Sequence, residues 1–125
     1  MIIDCHGHFT TAPDALQKYR DAQVARVKDA TLPDPSRPTI SDDELREAIE
    51  KNQLRLQRER GADLTLFSPR ASAMGHHVGD EHVSLAWTQV CNDLVHRVVE
   101  LYPDNFAGVC QLPQSPGVPI SQSVR

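Results

Sequence analysis

No stretch of this 125-residue chain approaches the ~20 consecutive apolar residues of a membrane span. Positive charge is not in surplus either. Thirteen Lys and Arg stand against 17 Asp and Glu, a formal net charge of −4 spread along the sequence, which argues against a nucleic-acid groove or an anionic membrane surface. The start, Met1-Ile2-Ile3-Asp4, has no basic stretch ahead of an apolar one, so a secretory signal is not expected. Cysteines are few and odd in number. Cys5, Cys91 and Cys110 lie far apart and fit free thiols in a reducing, cytoplasmic setting better than a disulfide framework. Internal repeats and low-complexity tracts are missing too. With 39% apolar residues, the remaining picture is one domain with enough chain to bury a core.

The apolar run Ile2-Ile3 leading into Asp4-Cys5 reads as a buried strand over 1–5. Thr11-Ala12-Pro13-Asp14 then gives a helix start, with Thr11 as cap and Asp14 as the acid of a capping box, and the helix is expected from Ala12 to about Asp29. Pro33, Pro35 and Pro38 exclude regular structure between Thr31 and Thr39. Ser41 followed by Glu44 is a second capping box. Leu45, Ala48, Ile49 and Leu56 carry the helix behind it, and Gly61 ends it. Asp63–Phe67 reads as a second strand, broken by Ser68-Pro69. The apolar stripe Val83, Ala86, Trp87, Val90, Cys91, Leu94, Val95, Val98 and Leu101 marks a long helix stopped by Pro103. Phe106–Leu112 is expected as a third strand. The order β-α-α-β-α-β predicts an α/β fold, a parallel sheet with helices over it. No element signal follows, so residues 118–125 are expected to be an unstructured tail at a truncation, after a domain over 1–117.

The sharpest chemical feature is Asp4-Cys5-His6-Gly7-His8 at the end of the first strand. Residues two apart in extended chain point the same way, so His6 and His8 present both imidazoles to one side. Two imidazoles at the carboxyl end of a parallel strand make a natural half of a divalent-metal site, and the plainer alternative is a pair of polar loop histidines. Arg70 lies just past the second strand. Its planar guanidinium matches a carboxylate in two hydrogen bonds, and Ser68 and Ser72 flank it with hydroxyls; a surface Arg closing a loop is the alternative. His77 could polarise substrate or sit in a solvated lid, the reading favoured for His76 and His82. His96 reads as a surface histidine. Cys5, Cys91, Cys110 and Trp87 read as core. Gln114 and Ser115 could touch substrate or simply form a turn.

Ile2-Ile3-Asp4-Cys5-His6-Gly7-His8 resembles the opening of the amidohydrolase superfamily. Phe67–Met74 (FSPRASAM) and Phe106–Pro116 (FAGVCQLPQSP) resemble, more narrowly, the 4-oxalomesaconate hydratases, over residues 1 to about 117. The resemblance implies a TIM-type (β/α)₈ barrel, usually ~250 residues, of which this chain carries about three of eight strands. It implies a zinc-dependent hydro-lyase of aromatic-acid breakdown acting on a small polycarboxylate substrate, with His6 and His8 as metal ligands; Arg70, Ser72 and His77 are the residues read above as candidates to contact that substrate. The acid–base carboxylate is expected on later strands, outside this sequence. A related decarboxylase or hydrolase would use the same histidines. A reading of another class is an inactive fragment, or one that buries its open sheet edge and apolar helix faces by forming a homo-oligomer.

Overall fold

Three parallel strands, β1 (Ile3–Gly7), β2 (Leu64–Phe67) and β3 (Phe106–Gly108), form one sheet in the order β1-β2-β3. The computed structural model describes residues 1–70, 74–75, 77–116 and 119. The expected 118–125 tail, apart from Pro119, and the loop positions Ser72 and His76 lie outside them. Between β1 and β2 come helices α1 (Asp14–Lys28), α2 (Asp42–Ile49) and α3 (Arg55–Arg60); α4 (Glu81–Leu101) joins β2 to β3. The predicted α/β order is therefore present.

Thr65 and Phe67 of β2 are buried while Leu64 and Leu66 are half-buried, so alternate side chains point to a covered and an open face. Phe67, fully buried, stands at the centre of the covered face. Its ring meets Phe9 at 5.0 Å and Phe106 at 5.3 Å, both edge-on, and Phe106 meets Tyr102 at 6.2 Å. The α4 stripe from Trp87 to Val98 packs into the same core, as do Leu16 and Tyr19 of α1 and Leu45 and Ile49 of α2. The helices thus bury their apolar faces on the sheet, contrary to the expectation that these would lie unpaired. The first strand corrects another expectation: Ile2 and Ile3 are 59% and 47% exposed, because β1 is the outer strand of the described sheet.

Gly7 is where β1 and β2 come closest. Between the paired positions Asp4–Thr65 and Gly7–Phe67, two residues of β1 (Cys5 and His6) stand opposite one of β2 (Leu66), which is a bulge. A Cβ on Gly7 would lie 2.2 Å from Thr65 Cγ2 and 2.8 Å from the Leu66 carbonyl oxygen. Only glycine fits there.

Several element boundaries differ from expectation for identifiable reasons. Helix α1 starts at Asp14, and Pro13 is its N-cap with no side-chain cap bond. The residue before a proline is pushed away from helical geometry, so Ala12 cannot be helical and Thr11 is too early to cap. The Ser41–Glu44 capping box forms in full: Ser41 Oγ accepts the Glu44 N–H at 3.2 Å and the Glu44 carboxylate accepts the Ser41 N–H at 2.7 Å. The helix it starts is interrupted by a π turn, Glu50–Leu54. In an α-helix a step of five residues turns about 140° off the starting face. The i→i+5 geometry brings Leu54 back under Ile49 instead, so Leu54 is fully buried and Leu56, the expected core residue, is half-buried. Gly61 closes α3 in the left-handed region, φ 65°, as its position predicts.

Strand β3 ends at Gly108 rather than Leu112. Val109 donates its N–H to Phe67 O at 2.8 Å, and beyond that Ser68-Pro69 offers no strand to pair with. Side chains of α4 take over as partners: Asn92 bonds both the N–H and the carbonyl of Gln111, and Ser84 bonds both those of Gln114. Cys110, off the sheet, is exposed rather than core, and so is Cys5 on the open side of β1; Cys91 is buried as expected. Burial pushes the Cys91 thiol up to about 12.

Gly7→Ala should therefore lower unfolding stability by about 1–3 kcal/mol in urea titration, with part of the loss recovered by adding Thr65→Ser, which removes the nearest methyl. An unchanged midpoint would contradict the close strand approach. A thiol reagent at pH 8 should modify Cys5 and Cys110 in the native protein and Cys91 only after unfolding, read by intact mass; fast native labelling of Cys91 would contradict the core described here.

Candidate functional site

The bulge sets the geometry of the histidine pair. Gly7 pairs with Phe67 on the covered side, so its neighbours His6 and His8 belong to the open side, at the carboxyl end of β1. Their ring centroids are 5.4 Å apart at 64°, with His6 exposed and His8 half-buried. The structure thus places the two imidazoles side by side, as the spacing predicts.

His6 is held through its backbone and His8 through its ring. The His6 N–H donates to Asp4 Oδ1 at 3.0 Å. His8 Nδ1 lies 3.0 Å from the Phe9 carbonyl oxygen. A carbonyl can only accept, so Nδ1 carries a proton, and in the neutral ring Nε2 then keeps its lone pair, the form in which an imidazole binds a metal. Phe9 is itself fixed by burial against Phe67. That donor set fits one half of a divalent-metal site. No cluster of three or more His, Cys, Asp or Glu that could hold a metal occurs among the described residues.

Arg70 is exposed and follows Pro69 at the carboxyl edge of β2. It lines a cavity of about 310 Å³ between the loop after β1, α1 and α4, on the helix side of the sheet. Phe9 and Thr10 line this cavity and His6 and His8 do not, so among the described residues Arg70 and the pair share the same edge of the sheet but not this cavity. His77 is exposed, with its ring over Gly75. Ser72 and His76 lie outside the described residues. His82 is exposed at the start of α4, and His96 is an exposed partner of Glu100 at 3.4 Å, the surface role expected of it. Trp87 is core. The backbone of Gln114 is tied to Ser84, which supports the turn-forming reading of that segment.

Sequence reasoning missed residues that shape this edge. Asp80 caps α4 by accepting the Val83 N–H at 3.1 Å, a signal legible in Asp80-Glu81 ahead of the apolar stripe. Thr10 donates to Gln53 Oε1 at 3.3 Å, linking the loop after His8 to the π turn. No local pattern announces that contact, which joins residues 43 apart.

Comparison with known proteins agrees with this architecture. The family model described as amidohydrolase matches residues 3–123. A 2-keto-4-carboxy-3-hexenedioate hydratase of Sphingobium sp. (strain NBRC 103272 / SYK-6) is 59% identical over 124 residues, which is 99% of this chain and 36% of that protein. The solved structure of 4-oxalomesaconate hydratase from Rhodopseudomonas palustris superposes with a TM-score of 0.87 at 51% identity, covering 99% of this chain and 37% of its own. An amidohydrolase II structure at 19% identity and TM-score 0.53, covering 90% of this chain and 32% of its own, shares the fold. The chain therefore spans about a third of the length of these relatives. Its three-stranded sheet is the N-terminal part of a TIM-type barrel. No helix among the described residues is long and apolar enough to cross a membrane.

Proposed function

This chain belongs to the amidohydrolase family, and on that basis we propose that it supplies the first-strand half of the metal centre of a hydratase acting on a 4-oxalomesaconate-type tricarboxylate. The observation that carries the proposal is the His6–His8 pair, 5.4 Å between ring centroids at the carboxyl end of β1. Amidohydrolases generally use a divalent metal, and zinc suits imidazole donors. When bound, that metal supplies the acidity that activates a water or polarises an oxygen of the substrate.

The residues of this chain have definable tasks. His8 offers Nε2 because the Phe9 carbonyl holds its Nδ1 proton. His6 offers the second imidazole from an exposed position on the same side. Arg70, with Ser72 and His77 in the same loop, is the proposed carboxylate anchor. The name 2-keto-4-carboxy-3-hexenedioate describes a six-carbon chain with three carboxylates, a ketone and one double bond, so a guanidinium has a carboxylate to meet on such a substrate. Hydration places hydroxyl on one alkene carbon and hydrogen on the other, with no net oxidation. Catalytic zinc sites use about three protein ligands. The remaining ligand and the acid–base carboxylate are assigned to the two thirds of the relatives that this chain does not span.

The test is a transplant. Residues 1–116 of this chain replace the matching segment of the Sphingobium hydratase. The chimera should retain zinc and hydrate 4-oxalomesaconate, followed by loss of its ultraviolet absorbance. His6→Ala with His8→Ala in that chimera should abolish metal retention and lower turnover by at least about 10³-fold. A folded chimera that keeps its metal without those imidazoles, or that holds zinc and leaves the substrate untouched, would contradict the proposal.

A further inference from the structure

Crowding against Thr65 and Leu66 requires glycine at position 7, yet glycine is also the residue that leaves a backbone freest to turn. Left to itself, that joint would let His6 and His8 swing independently. The structure removes the freedom from the neighbouring strand. Ser68, half-buried and the first residue after β2, donates its backbone N–H to the Gly7 carbonyl oxygen at 2.8 Å. Its Oγ–H donates to the same oxygen at 3.2 Å. A carbonyl oxygen can accept two hydrogen bonds, and here one residue supplies both. Pro69 behind it biases Ser68 toward extended backbone, which keeps Ser68 in line with the strand it follows.

We propose that Ser68 is a positioning residue for the histidine pair: it locks the glycine joint between His6 and His8 and so holds the two imidazoles at one spacing. The Gly7 carbonyl belongs to the planar peptide that leads into His8, so restraining its oxygen restrains the His8 Cα as well. His8 is then held at both ends, by Ser68 through the peptide that enters it and by the Phe9 carbonyl at its ring Nδ1. On the other side of the joint, Asp4 Oδ1 accepts the His6 N–H at 3.0 Å. The single proton of the Ser68 hydroxyl is committed to Gly7, so this side chain serves the pair rather than donating to a substrate beside Arg70. That role rests on reading His6 and His8 as half of a metal site, where donors already held in place bind more tightly than donors that must be ordered on binding.

NMR of the intact 125-residue chain tests this first without metal and then with zinc ion. In the metal-free parent, nuclear Overhauser effects should connect the two rings, whose centroids are 5.4 Å apart. Ser68→Ala keeps the backbone bond and deletes the hydroxyl one, and those ring-to-ring effects should be lost or weakened. Ser68→Thr, which keeps the hydroxyl, should retain them, and the exposed His96 should be unmoved in both variants. Zinc binding, followed on the His6 and His8 ring signals, should weaken about three- to tenfold in Ser68→Ala and stay near the parent in Ser68→Thr. A merely structural role would lower the unfolding midpoint of Ser68→Ala and leave both readouts as in the parent. A folded Ser68→Ala chain with the parent's ring-to-ring effects therefore overturns the proposal, and so does one with the parent's zinc affinity. A parent chain whose histidine rings ignore zinc would count against the metal reading, while the metal-free ring contacts still decide whether Ser68 positions the pair.

Discussion

Everything at the carboxyl edge of this sheet depends on the burial of Phe9 against Phe67. The ring of Phe67 is enclosed between Phe9 and Phe106 at 5.0 and 5.3 Å, so the segment leaving β1 is anchored on the covered face one residue after His8. The Phe9 carbonyl is then fixed in place to accept the His8 Nδ1 proton. Gly7 makes this possible from the other direction, because its missing side chain lets β1 lie against Thr65 and Leu66 and turn the two flanking histidines to the open face. A hydrophobic contact on one side of the sheet therefore fixes the carbonyl that orients the His8 ring on the other.

The two faces at this edge carry different chemistry. The open face holds imidazoles, which can bind a metal, above half-buried Leu64 and Leu66. The covered side holds guanidiniums over an aromatic floor. An incomplete ligand set on the open face agrees with a chain that spans about a third of its relatives, since barrel enzymes draw site residues from the ends of several strands. The exposed outer strand, with Ile2 and Ile3 uncovered, belongs to the same picture: in the relatives' fold further strands complete the sheet.

Much of this was legible in the residues. The capping box at Ser41, the left-handed stop at Gly61, the α4 stripe and the break at Ser68-Pro69 are local signals with local causes, and each appears where its chemistry places it. The His6–His8 juxtaposition was legible because strand alternation needs only a spacing of two. What escaped depends on neighbours distant in sequence. Leu54 replaces Leu56 in the core because a π turn re-phases the helix against the sheet. Strand β3 stops early because its partner does, and Cys110 is exposed in consequence. Cys5 is exposed because β1 is the outer strand of the described sheet, a fact of topology rather than of its flanking residues. Arg70 was legible as a residue of the strand's carboxyl edge, but not its place beside α1 residues in the lining of one cavity.

The most direct measurement is long-range proton–nitrogen NMR of the histidine rings, before and after addition of zinc. His8 should be found with its proton on Nδ1, and zinc should shift Nε2 of His8 together with a ring nitrogen of His6. A His8 ring protonated on Nε2 instead, or zinc that leaves both rings unmoved, would contradict the claim that a buried phenylalanine aims this pair at a metal.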